Sequence, residues 1–275
     1  MASVEHIPRW FTPQVPAPHS GAVAPSTSFL PKEHGSWSLA FEPLALGLLL
    51  APSLAGVALL AAAAAGFFAR RPLKAAFAPQ FSEKRREARE ALVMLSALVL
   101  AGGFELLVLG DPRALWPLLL AAPCGLLFAY FDGQGEGRAA AAEVAGSAAF
   151  AVLPAVFATL AGWSVGAALS LAALALVRSV PTVLTIRTFL RQRKGEPVSS
   201  WLPITGAAAG ASGIAALACF HLLPWFIVAA PVGLLVRTVW LVGPWRPAWT
   251  ARQAGIGEAL LGMGYLGILA VLRLG

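Results

Sequence analysis

From Trp37 onward the chain is a succession of apolar segments, each near the roughly 17–25 residues that an α-helix needs to cross a bilayer. Nine are counted, at residues 37–51, 53–69, 90–109, 114–131, 139–161, 164–190, 201–220, 222–242 and 254–273. Hydrocarbon offers no partner for a backbone N–H or C=O, so segments of this length predict helices that satisfy themselves, and the fold class read here is an all-α polytopic membrane bundle. With 58% hydrophobic and only 12% charged residues, the chain lacks the composition of a water-soluble surface. The first two segments are short and meet at Pro52, which leaves a single re-entrant hairpin as the rival count there.

Residues 1–36 carry six prolines, no apolar stretch of signal-peptide length and a single arginine, Arg9. They read as a mobile cytosolic arm before a transmembrane bundle at 37–275. Cys124 and Cys219 lie inside apolar runs, which excludes a disulfide framework or a zinc site. Asp111 and Asp132 are the only aspartates. The net charge of +7 speaks of orientation and anionic headgroups rather than of nucleic acid.

The basic residues fall on alternate loops. Arg70, Arg71, Lys74, Lys84, Arg85, Arg86 and Arg89 follow the second span, Arg187, Arg191, Arg193 and Lys194 the sixth, and Arg138, Arg246 and Arg252 occupy the other even loops, against Arg113 alone in the odd ones. The positive-inside rule then predicts a multi-pass protein of the cytoplasmic membrane, with its amino terminus in the cytosol and its carboxyl terminus outside. Eight tryptophans, from Trp37 to Trp249, sit at span ends, where indole rings favour the headgroup level. Small residues, as at 61–65 and at Gly206, Gly210 and Gly213, allow close helix approach. The FDGQGEGR string reads as a flexible connection more readily than as a phosphate cradle.

Ionisable groups inside a span cost about 2.5–3.5 kcal/mol each at the helix centre, so each needs a partner or a task. Glu33 and His34 open the first span, and His34, Ser38 and Glu42 recur on one helix face. Arg70 and Arg71 close the second, Glu143 begins the fifth, Arg187 and Arg191 extend the sixth, Arg237 lies near one end of the eighth, and Glu258 opens the ninth. Arg178 sits mid-span, three residues before Pro181, in a helix stretch whose carbonyl at Val177 loses its donor. Two readings compete. Glu42, Glu143 and Glu258 can pair with Arg70, Arg178 and Arg237 as structural glue, or the surplus arginines can line a cavity that receives an anion, for which the planar guanidinium is suited.

Nine spans with basic loops after the second and sixth, and the string LLFAYFDGQGEGR before a Pro-containing apolar run, resemble the UbiA superfamily of intramembrane prenyltransferases. At closer range FLPKEHGSW, FARRPLK, RSVPTVLTIRTFLRQRKGE and GIGEALLG are similar to the YwiC-like family of bacterial membrane proteins, over residues 29–273. The superfamily resemblance implies prenyl transfer from a diphosphate held by magnesium on two aspartate-rich motifs. Here RRPLK at 70–74 and the stretch 187–194 contain no aspartate, so the magnesium–diphosphate site looks missing and no cofactor or metal is expected. Glu83, Glu87 and Glu90, interleaved with bases, read as a salt-bridged amphipathic segment instead.

The expected function is therefore a transferase or lyase on a phosphorylated isoprenoid or other anionic lipid, or a lipid-, quinone- or partner-binding protein that kept the fold without the chemistry. In the first case Arg70, Arg71, Lys74, Arg138, Arg178, Arg187 and Arg191 grip phosphate, and Glu33, His34 or Glu42 supplies acid or base. Tyr130, Glu143, Arg237 and Glu258 line or support the cavity.

Overall fold

The computed structural model describes residues 34–77 and 83–271. Among them are nine α-helices and no strand: α1 (His34–Leu50), α2 (Leu54–Ala76), α3 (Glu83–Leu109), α4 (Leu118–Gly133), α5 (Ala140–Leu160), α6 (Val165–Arg193), α7 (Trp201–Cys219), α8 (Ala229–Val242) and α9 (Ala251–Val271). Seven are long and apolar enough to cross a membrane, and α1 and α4 are shorter apolar helices. The expected all-α membrane bundle is what the chain forms.

Ser53 separates the first two helices. Its hydroxyl accepts from the Gly56 N–H at 2.9 Å and caps α2, so the chain restarts after Pro52 as a distinct helix. α1 then packs mainly on α5 and α9, whereas α2 lies along α3. The first two segments are thus two separate helices with different packing partners.

The second helix outruns the hydropathy signal. It was expected to end at 69 but continues to Ala76, and α3 begins at Glu83, so the basic stretch between the spans is largely helical. Apolar character ends where lipid ends, but backbone hydrogen bonding continues into the headgroup layer. Arg85 of α3 donates from Nε to the Ala76 carbonyl at 3.0 Å, satisfying one of the open acceptors at the end of α2. Arg86 and Glu90 pair at 3.0 Å one turn apart, as the amphipathic reading of that stretch expects.

α5 and α6 form the middle of the bundle, with Phe157 fully buried between α1 and α2. Gly47 and Gly56 make this possible. A β-carbon on Gly47 would run into the Phe157 ring, and one on Gly56 would meet it at 3.0 Å. Since lipid tails are as apolar as the ring, this contact holds the helices together by dispersion and shape rather than by exclusion of water. α3 is peripheral and touches the bundle through α2, with Gly102 against Ala58 and Ala62.

Truncating Phe157 to Ala leaves a cavity between three helices. The expected cost is about 3–5 kcal/mol, read as a lower unfolding midpoint in detergent, whereas Phe104→Ala on the exposed side of α3 leaves the midpoint unchanged.

Candidate functional site at the basic end of the bundle

α1 begins, and α2, α4, α6 and α8 end, on the side that carries the basic loops, and two polar clusters lie there at different depths. The deeper one is built on Arg178 of α6, whose side chain is 2% exposed. Its Nε lies 3.2 Å from Glu42 Oε2 of α1. Nη1 donates to Glu258 Oε2 of α9 at 3.2 Å and to Thr182 Oγ1 at 2.6 Å, and Nη2 donates to the Glu258 carbonyl at 2.8 Å. Arg237 of α8 donates from Nε to Glu258 Oε1 at 2.9 Å and pairs through Nη2 with Oε2. Four helices thus share two guanidiniums and two carboxylates, a neutral quartet.

The sequence supports this arrangement locally. Pro181 has no N–H to give, and Thr182, one residue on, turns its hydroxyl to the Arg178 carbonyl at 2.6 Å while accepting from the Arg178 side chain. Thr185 and Thr238 meet at 3.2 Å and tie α6 to α8. Gly262 is required by close approach: a β-carbon there would collide with the Glu42 carboxylate, which lies against the backbone of α9. Beside the quartet is a cavity of about 10 Å³ lined by residues that include Glu42, Arg178, Ser179 and Tyr265. That space suits a single water and no headgroup.

The outer cluster gathers on the connection between α4 and α5. Arg70 donates from Nε to Asp132 Oδ1 at 3.0 Å and also bonds it through Nη2, while Lys74, one turn along α2, reaches the same oxygen at 2.7 Å. The Phe128 ring lies 4.6 Å from the Arg70 guanidinium carbon. From the other side, Arg187 of α6 donates from Nη1 to the Arg138 carbonyl at 2.8 Å and to Glu143 Oε2 at 2.7 Å. Bases from α2 and α6 therefore converge on one loop. Gly137 lies hard against the first group, since a β-carbon there would overlap both Asp132 and Arg70.

The site residues expected from the sequence distribute as follows. Glu33 lies outside the described residues, and so does the side chain of His34, whose backbone opens α1. Glu42, Arg178, Arg237 and Glu258 meet in the quartet. Arg70 and Lys74 share Asp132, and Arg187 takes Glu143. Arg191 turns aside to Glu196 at 2.6 Å. Arg71 is half-buried, Arg138 is exposed, and Tyr130 is exposed with its ring edge-on to Phe131. Among the described residues no three His, Cys, Asp or Glu side chains gather closely enough to hold a metal ion.

Glu143 pairs with Arg187 rather than with Arg70, because Asp132 already engages Arg70. Asp132, Thr182, Gly137 and Gly262 were not singled out as site residues. For Asp132 a signal existed: it is one of two aspartates in the chain and closes an apolar run before a glycine.

Removing one member of the quartet strands its partners in a low-dielectric interior. Arg178→Met is expected to cost about 3–5 kcal/mol in detergent unfolding. Arg178→Lys should recover little of that, since one ammonium lacks the planar span to face Glu42 and Glu258 together.

Residues 30–158 match the model of the family described as YwiC-like protein, while no curated protein and no solved structure matches the chain. The matched stretch contains Glu42, Arg70, Lys74, Asp132 and Glu143; Arg178, Arg187, Arg237 and Glu258 lie beyond it. Over residues 30–158 the chain is similar to the YwiC-like family, the stretch that holds most of FLPKEHGSW and all of FARRPLK.

Proposed function

We propose that this integral membrane protein binds the phosphate of an anionic lipid at its basic end, with Arg70 and Lys74 as the principal receptors. The reading places that end in the cytosol and the protein in the cytoplasmic membrane, on the strength of the lysines and arginines of the alternate loops. The observation that carries it is an imbalance of charge. Arg70 and Lys74 are both cations, their side chains are 40% and 47% exposed, and they share the one carboxylate of Asp132. A half-open pair with net charge +1 at headgroup depth attracts phosphate oxygens, and an exposed ammonium and guanidinium reach them without full dehydration.

Binding without chemistry is preferred to the UbiA-like transferase reading. Glu42, the one proposed acid or base whose side chain is described, is engaged by Arg178 inside a neutral quartet beside a cavity of about 10 Å³. A general base needs reach to a substrate proton, and the Glu42 carboxylate is turned to Arg178 and the backbone of α9 instead.

The full chain in nanodiscs of zwitterionic lipid doped with phosphatidic acid tests this. Replacing Arg70 and Lys74 by Gln is expected to weaken retention of the anionic lipid about ten-fold or more, since each lost charge-assisted bond is worth roughly 1.5–3 kcal/mol. Added chelator, or joint replacement of Glu33 and His34, should leave retention unchanged. Equal retention by the Arg70/Lys74 variant would overturn the proposal.

A further inference from the structure

The geometry at Asp132 is unequal. Arg70 Nε, Arg70 Nη2 and Lys74 Nζ all point to the single oxygen Oδ1. The edge of a guanidinium presents two parallel donors that match two oxygens of one anion, and an ammonium alongside suits a third. Here one oxygen serves all three. The exposures run the same way: the Asp132 side chain is 11% exposed, so the carboxylate approaches from the protein side while the two cations open outward. The Phe128 ring beneath the Arg70 guanidinium is a second contact, independent of the carboxylate, that favours this placement of the side chain.

We infer that Asp132 is a resident stand-in for phosphate, and that the Arg70–Lys74 site accepts phosphomonoester headgroups, which displace it, while rejecting phosphodiester headgroups, which do not. The inference rests on the lipid-binding reading above and narrows its ligand class. A tethered carboxylate competes at an effective concentration of order millimolar or higher. A phosphodiester carries one negative charge, as the carboxylate does, and gains nothing in charge by the exchange. A phosphomonoester carries about −1.5 to −2 near neutral pH and offers three terminal oxygens, one for each of the three nitrogens.

Displacement also needs somewhere for Asp132 to go. It is the penultimate residue of α4, and Gly133, Gly135 and Gly137 follow within five positions, with Gly135 at φ +80°. A chain of that composition re-forms its turn at little steric cost. Beyond it the loop stays anchored, because Arg187 holds the Arg138 carbonyl and Glu143. The rearrangement is thereby confined to the few residues around Asp132.

The test uses the full chain in phosphatidylcholine nanodiscs doped with either phosphatidic acid, a monoester, or phosphatidylglycerol, a diester, with retained lipid counted by native mass spectrometry. The wild-type protein should retain phosphatidic acid at least ten-fold in preference. Asp132→Asn, close in shape but uncharged, should shrink that preference several-fold by raising retention of phosphatidylglycerol. Inorganic phosphate assigns the source: if it displaces phosphatidic acid, the dianion alone suffices, and if it does not, the acyl chains contribute, with the monoester preference standing in both cases. Equal retention of the two lipids by wild type, both lowered by Arg70→Gln, overturns the role of Asp132 while sparing the lipid-binding reading. Retention that ignores Arg70→Gln and Lys74→Gln together overturns that reading itself. The wild-type ratio needs no variant, so poor folding of Asp132→Asn leaves the decision intact.

Discussion

Burying Arg178 is the most demanding step this bundle takes, and the surrounding architecture is arranged to meet it. A guanidinium withdrawn from water loses several kcal/mol of hydration even after the protein relaxes, and only near-complete replacement of its hydration makes the position tenable. Two carboxylates, a backbone carbonyl and a threonine hydroxyl supply that replacement from α1, α6 and α9, and Glu258 passes the second half of its charge to Arg237 on α8. Ion pairs of this kind add little to stability compared with a well-packed apolar core, but they are exacting about geometry. α1 is a short apolar helix held in register twice over: a slip along its axis would carry side chains into the Phe157 ring that Gly47 now accommodates, and it would pull Glu42 from Arg178.

The same residue types behave differently a few turns outward. Arg70, Lys74 and Arg187 reach the edge of the bundle, where water and headgroups lower the cost of a charge and where no exact balance is needed. Inside, two acids meet two bases. Outside, one carboxylate meets two bases on the Arg70 side. The depth at which a charge sits thus separates a cluster that has to be closed from one that can stay open, and the proposed lipid binding is assigned to the open one for that reason.

Much of this architecture is legible in the sequence because the bilayer is a strict ruler. The apolar runs at 139–161 and 201–220 correspond to Ala140–Leu160 and Trp201–Cys219, within a residue or so at each end. The ruler fails where lipid stops, as at α2, which carries Arg70 and Lys74 on well past its apolar stretch. For the polar groups, sequence position gives depth but not rotation. Depth alone puts Glu42, Arg70, Glu143, Arg187, Arg237 and Glu258 in one layer, whereas the structure separates the Arg178 quartet from an outer cluster and the partner of Glu143 depends on how α5 faces α6 and α2. Asp132 escaped for a related reason: from the sequence it is the end of a span, and its meaning comes from two bases on a helix more than fifty residues earlier.

Those two bases pose a problem of their own. Arg70 and Lys74 stand one turn apart on the same face of α2, at a boundary where the dielectric is falling, and like charges at that spacing repel. On the proposed reading the pair therefore calls for a nearby anion to offset that repulsion, which between partly exposed groups is roughly 0.2–0.5 kcal/mol. A tethered carboxylate meets that need and never diffuses away. Under the proposal it also sets a threshold, because a ligand must outbid it before entering, and the side chain that offsets the repulsion is then the one that sets which anions bind.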